Sequence, residues 1–199
     1  MSAHHLSGWS SEDWGVPDFE GPAHGKPARS RLPKEKSLLP TCRHWREPVD
    51  LRDGVVVFAS AWFDRPNRHR VDMEWPEVGF YLDGSWASAI VVASPGFRPP
   101  FVRRKPSQIV IYPWPDLGVP RNTRRFNRAL RWVLEQASVG RRIEVGCAGG
   151  HGRTGTTLAG LLVLQGMTPR EAVRRVRRTY CDEAIESPEQ TSMIRRLAQ

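Results

Sequence analysis

Cys147-Ala148-Gly149-Gly150-His151-Gly152-Arg153-Thr154-Gly155 sets a thiol and a guanidinium six residues apart on a glycine-rich turn. The run before it, Arg141-Arg142-Ile143-Glu144-Val145-Gly146, carries β-branched residues at period 2 and predicts a strand over 141–146. The run after it contains Leu158, Ala159, Leu161, Leu162, Val163 and Leu164, and predicts a buried central helix over 154–165. A turn between such elements aims backbone N–H groups and the positive end of the helix dipole at one spot. Gly149, Gly150 and Gly152 permit a tight nest of amides. The helix N-terminus and a nearby cation favour the thiolate over the thiol at Cys147. Arg153 offers a planar fork matched to two phosphate oxygens. The arrangement suits holding a phosphate while sulfur attacks phosphorus.

A bare Cys-x5-Arg spacing says little in so arginine-rich a chain. The glycines, the following Thr154 and Gly155, and the strand-before, helix-after context carry the reading. Its plain alternative is a buried cysteine beside a glycine turn.

A second constellation, Tyr112-Pro113-Trp114-Pro115-Asp116-Leu117-Gly118-Val119-Pro120, follows an apolar strand over 108–112. Its prolines stop strand and helix alike, so Asp116 is expected on a stiff loop beyond a strand end. Asp116 precedes Cys147 by 31 residues. An amphipathic helix over 121–138 fills most of that gap, with Phe126, Leu130, Val133, Leu134 and Ala137 on one face. In a strand–helix–strand crossover both strands end on the same edge of the sheet. Asp116 is therefore expected near the Cys147 loop, where a carboxylic acid can protonate the leaving oxygen of a phosphoester. Taken alone, Asp116 reads as a turn residue bonded to its own backbone.

These two loops, with Ala184-Ile185-Glu186-Ser187-Pro188-Glu189-Gln190, resemble the cysteine-based protein-tyrosine phosphatase superfamily, nearest its compact dual-specificity-like and bacterial members. The resemblance covers roughly residues 51–199. It implies an α/β fold, a mainly parallel twisted central sheet flanked by helices in a three-layer sandwich. It implies hydrolysis through a phosphocysteine intermediate, with no cofactor and no metal. By position, Cys147 becomes the nucleophile, Arg153 the phosphate clamp, and Asp116 the general acid and then base. Thr154 stabilises the departing thiolate, and Gln190 positions the hydrolytic water. The phosphate-binding set becomes Ala148, Gly149, Gly150, His151, Gly152 and Arg153. The family usually has His before the nucleophile, where this chain has Gly146. His151 stands where lipid-phosphatase-like members often carry Lys. Two readings are open for it: a charge added to the site below about pH 6.5, or a solvent-facing loop residue.

The chain of 199 residues has room for one ordinary domain and a tail. Residues 1–50 are rich in Pro, Gly, Ser and charge and read as a loosely ordered leader, with 51–199 the phosphatase domain. Trp9, Trp14, Phe19 and Trp45 either pin the leader to the domain or lie scattered on its surface. Further strands are expected over 55–60, 78–82 and 87–93, and further helices over 169–180 and from about 187 onward. Thr168 is read as a cap, with Pro169 at the first helical position. Three widely spaced cysteines do not describe a disulfide framework, and Cys42 and Cys181 lack an Arg six residues on. No His/Cys grouping has zinc spacing. The chain shows no basic-then-apolar signal region and no long apolar run, and a catalytic thiolate suits a reducing compartment. A cytoplasmic location is expected.

Residues 51–199 hold 23 basic and 14 acidic side chains and account for the whole net charge of +9. Arg124, Arg125, Arg128 and Arg131 line one expected helix, and Arg174, Arg175, Arg177 and Arg178 another. Such a surface draws anionic ligands. It also fits a nucleic-acid footprint, though no aromatic-interleaved RNA motif or reading helix accompanies it, or simply a solvated arginine-rich face. The leading functional expectation is a phosphomonoester hydrolase acting on phosphotyrosine in a phosphoprotein substrate, and on phosphoserine or phosphothreonine if the pocket is shallow. Alternatives are the same chemistry on phosphoinositides or RNA 5′-phosphates, and a phosphate-binding module without catalysis. Rhodanese-like sulfur transfer would leave the Asp116 loop without a purpose. Oligomeric state is not encoded in these patterns.

Overall fold

Asp53 and Gly54 turn the chain back on itself with positive φ of 57° and 74°, the left-handed backbone that Asp-Gly favours in tight hairpins. The turn joins β1 (Trp45–Asp50) to β2 (Val56–Ala61) in antiparallel register, Asp50 opposite Val56. The computed structural model describes residues 45–61, 76–84, 91–93 and 106–198. All of them lie in the unit that runs from Cys42 to Gln199.

The sheet thus begins inside the stretch that composition assigns to the leader. β1 was masked by its sequence, WREPVD, which has Pro48 and charge where a central strand would be apolar. An edge strand tolerates both, because one side of its ladder faces solvent; Pro48 and Asp50 are exposed while Val49 is buried. Trp9, Trp14, Phe19, Cys42 and the first residues of the expected 87–93 strand lie outside the described residues.

The remaining strands are β3 (Val78–Leu82), β4 (Val91–Ala93), β5 (Gln108–Tyr112) and β6 (Ile143–Cys147). They assemble in the order β1-β2-β6-β3-β5-β4. The four inner strands run parallel, and both edge strands pair antiparallel. β3 and β6 are buried along their whole length, as expected of inner parallel strands.

Among the described residues four helices flank the sheet: α1 (Thr123–Ser138), α2 (Gly152–Leu164), α3 (Pro169–Thr179) and α4 (Pro188–Leu197). Helix α2 packs against the other three and against β6, so Leu158, Leu161 and Leu162 have no outward face. Its neighbours are amphipathic, and α1 buries Phe126, Ala129, Leu130, Trp132 and Val133. Both Thr168 and Ser187 form capping boxes, with Glu171 and Gln190, and Pro follows each. No described helix is long and apolar enough to cross a membrane.

One transverse row of the sheet places the chemistry. Leu82 pairs with Tyr112 on one side and with Cys147 on the other. The C-terminal ends of β5 and β6 therefore stand two inter-strand spacings apart, about 10 Å. The loops leaving those ends carry Asp116 and the Cys147 turn.

Candidate active site

Cys147 closes β6 and is 2% exposed. Residues 148–150 bend, with Gly150 at φ 78°, and α2 opens at Gly152. The Tyr180 hydroxyl donates to the Gly150 carbonyl at 2.6 Å and ties the turn to the end of α3. A side chain caps each of α1, α3 and α4, through Asn122, Thr168 and Ser187. The residue before α2 is His151, and its side chain makes no capping bond. The first-turn amides of α2 thus face the turn without a side-chain acceptor from the N-cap, which is the geometry of an anion site.

Arg153 sits in the first turn of α2 and is only 5% exposed. Its Nη1 donates to the Trp114 carbonyl at 3.2 Å. Its Nη2 meets Asp116 Oδ1 at 2.9 Å. Its Nε is buried and makes no hydrogen bond. One guanidinium therefore links the two loops that the sequence reading joined, and one donor edge stays uncommitted.

The Asp116 loop is held from below by Trp114. That ring is fully buried and packs edge-on against Phe126, with centroids 5.0 Å apart. Its Nε1 donates to the Gly118 carbonyl at 2.7 Å, and the Gly118 amide donates to Pro115 at 3.3 Å. Leu117 completes the turn at φ 55°, rare for a residue with a branched side chain. Gly84, beyond the end of β3, passes beneath: a Cβ there would lie 2.6 Å from the Pro115 nitrogen. The loop thus rests on a ring, a turn and a close backbone approach, while the Asp116 side chain itself is 75% exposed.

Thr154 is fully buried, and its hydroxyl makes no hydrogen bond. The other two threonines of α2 bond back to their own helix, Thr156 to the Gly152 carbonyl and Thr157 to that of Arg153. Gln190 is buried as well. Its side-chain oxygen accepts from the Glu186 and Ser187 amides at 2.8 and 3.4 Å, and its Nε2 reaches the Gly118 carbonyl at 3.5 Å. It lies beside the Asp116 loop with its oxygen engaged in the α4 cap.

His151 corrects one of the two sequence readings of it. It is 3% exposed, so it does not face solvent, and Nδ1 lies 3.3 Å from Cys181 Sγ. Burial holds its pKa below the ordinary histidine value, against the opposing pull of Glu183 and Asp182. The side chain therefore adds no positive charge to the site near neutrality. Its backbone stays in the turn and can serve the expected phosphate contacts.

The sequence reading quoted Glu186 without giving it a role. Its carboxylate lies against Gly152, and a Cβ on Gly152 would overlap Oε2. Burial raises its pKa first, and the Asp116 charge adds to the rise; the Gly152 amide and Arg153 oppose it. Arg177 steadies this segment by donating to the Ala184 and Ile185 carbonyls at 3.0 and 3.1 Å. The signal was Glu186 standing four residues before Gln190, but only a fold brings it to the start of α2.

Residues 101–199 match the family model described as the Swiss Army Knife protein DSP-PTPase phosphatase domain. Two uncharacterized proteins of Methanocaldococcus jannaschii are 35% and 33% identical over 82 residues, 41% of this chain and 54% and 50% of theirs. The chain spans about half the length of these curated relatives. The crystal structure of Tk-PTP in its active form superposes with a TM-score of 0.50 at 25% identity, covering 62% of this chain and 78% of that one. The protein tyrosine phosphatase TbPTP1 of Trypanosoma brucei shares the fold at a TM-score of 0.55 and 18% identity, over 78% of this chain and 72% of its own. The matched segment, residues 101–199, carries both the cysteine turn and the aspartate loop on this sheet, and it is this segment that groups with the dual-specificity-like domains of the cysteine-based protein-tyrosine phosphatase superfamily.

Proposed function

We propose that the protein hydrolyses phosphomonoesters, phosphotyrosine first among them, through a phosphocysteine intermediate. One observation carries the reading: the buried Arg153, in the first turn of α2, reaches Asp116 while its Nε remains without a partner. The cysteine turn just ahead of it ends β6.

In this reading Cys147 sulfur attacks phosphorus in line. The amides of residues 148–153 and the Arg153 fork take the equatorial oxygens. Such preorganised donors supply most of the rate in phosphoryl transfer. Asp116 gives a proton to the departing oxygen, and a water then attacks phosphocysteine, losing its proton to Asp116. Thr154 donates its uncommitted hydroxyl to the sulfur as it leaves, and Gln190 Nε2 lies near enough to the Asp116 loop to orient the water. The substrate is a phosphoprotein, the basic face favours anionic partners, and a reducing cytoplasm keeps the thiolate competent.

The test is Cys147→Ser. The variant is expected to lose turnover of an aryl phosphate while still binding inorganic phosphate. Turnover at the wild-type rate would remove Cys147 as nucleophile. A panel of phosphotyrosine and phosphoserine peptides, inositol phospholipids and 5′-phosphorylated RNA ranks the substrates, and a preference for lipid or RNA would replace the phosphoprotein assignment.

A further inference from the structure

Two carboxylates, not one, border the start of α2 at this site. Asp116 pairs with Arg153 Nη2 from the β5–α1 loop. Glu186, from the segment between α3 and α4, lies against Gly152, the first residue of α2. Its charged neighbours are Asp116, Arg153 and Glu183. The proposed mechanism gives this second carboxylate no work, yet it borders the amides that a phosphate needs.

A phosphate dianion entering the turn brings further negative charge beside Glu186. Like charges in a shared, partly buried site cannot all stay ionised at low cost. Burial and Asp116 already push the Glu186 pKa up, so a proton is held there more readily than on an ordinary glutamate. The anion strengthens that tendency, and by reciprocity a proton on Glu186 strengthens the hold on the anion. Once neutral, the carboxyl turns from a competitor for the turn into a donor to a phosphate oxygen.

We propose that Glu186 is a further phosphate ligand, which takes up one proton from solvent as the dianion binds and donates that hydrogen to a non-bridging oxygen. This rests on the phosphate cup proposed above. No bond to phosphorus changes; a solvent or buffer acid gives up the proton that forms the Glu186 O–H bond, and its conjugate base takes the proton back when phosphate departs. Protonated Glu186 thus favours the dianion of the ester, whose oxygen accepts that hydrogen, over the monoanion.

Sulfate is the probe, because it stays dianionic across the working range and does not titrate itself. Cys147→Ser provides the background, since it removes the thiol. Calorimetry from about pH 5 to about pH 8 measures affinity, and buffers of different ionisation heat count protons. The Cys147→Ser protein is expected to take up close to one proton per sulfate on the alkaline side of the Glu186 titration. Its affinity there is expected to fall about tenfold per pH unit. Adding Glu186→Gln, which mimics the protonated side chain, should abolish uptake and slope and leave tighter binding at neutral pH. Glu186→Ala, which removes the carboxyl altogether, should also abolish the slope. Cys147→Ser with His151→Gln should keep it. Equal proton uptake with and without Glu186 would overturn the proposal while leaving the phosphate cup intact. Sulfate binding to none of these proteins at any pH would remove the cup, and this proposal with it.

Discussion

Asp116 Oδ1 stands 2.9 Å from Arg153 Nη2, an exposed carboxylate on a buried guanidinium. The pair joins the loop after β5 to the first turn of α2, and those two loops share nothing in sequence. An ion pair with one open partner contributes little to stability, about 0–1 kcal/mol. Its importance is positional. In the proposed reaction, the side chain that holds phosphate also fixes how far the proton donor stands from the leaving oxygen.

Asp116→Asn keeps the shape of the side chain and removes its proton. kcat is expected to fall about 100-fold or more on an alkyl or unactivated phenyl phosphate, and far less on a substrate with an activated leaving group. The melting temperature should barely change. Equal losses on both substrates, read from kcat against leaving-group acidity, would clear Asp116 of the acid role.

Trp114 lies beneath that carboxylate. Trp114→Phe retains the contact with Phe126 and loses the bond from Nε1 to Gly118. Stability is expected to drop by about 1 kcal/mol, and kcat to drop while phosphate affinity holds, because only the acid loop loosens. Trp114→Ala empties a fully buried site and should cost about 3–5 kcal/mol. Denaturant unfolding separates the two variants. A Trp114→Phe protein with unaltered kcat would show that the Gly118 bond does not hold Asp116 in place.

Much of this was legible in the chain. Short runs of β-branched and aromatic residues marked β2, β3, β5 and β6, and Thr168-Pro169 and Ser187-Pro188 marked two helix starts. The turn from Cys147 to Arg153 and the Asp116 loop could be joined because parallel strands must end on one edge. Three features escaped for physical reasons. β1 is an edge strand, whose Pro48 and charges hide its period. His151 sits among glycines, where an exposed loop position was one of two open readings, but the fold seals it against Cys181. The place of Glu186 depends on the left-handed backbone at Ile185, φ 66°, and on Arg177 gripping the carbonyls before it. Neither has a short-range pattern. Arg177 and Arg175 were read as a basic face, yet Arg175 donates to the Asp50 and Leu51 carbonyls. Part of the positive charge on α3 holds the fold.

Thr154 offers a test of the second chemical step. Its hydroxyl makes no hydrogen bond, so Thr154→Val removes no native bond and should change stability by less than about 1 kcal/mol. Breakdown of the phosphocysteine should slow, because the leaving thiolate loses a donor. Rapid-quench kinetics are expected to show a burst of product followed by slow turnover, with about 10-fold or greater loss in kcat. Thr154→Ser should restore it. A valine variant that turns over at the full rate without a burst would remove the hydroxyl from the mechanism.

His151 makes stability depend on pH in a definite direction. Its folded pKa is below the ordinary value, so between those two values the unfolded chain binds the extra proton. Stability then rises with pH through that window and is lost as pH falls below about 6.5, the unfolded value. Above it His151 is neutral in both states and contributes no slope. His151→Gln removes the titration and keeps a polar group beside Cys181. Melting temperatures from about pH 8 down to about pH 5 should run parallel at first. They should then diverge below about pH 6.5, with the wild type falling faster by no more than the slope of one proton. Glu183 and Asp182 are present in both proteins, so their effects cancel to first order. Curves that stay parallel throughout would mean that His151 accepts its proton in the folded protein as readily as in the unfolded chain, and that its burial does not govern its charge.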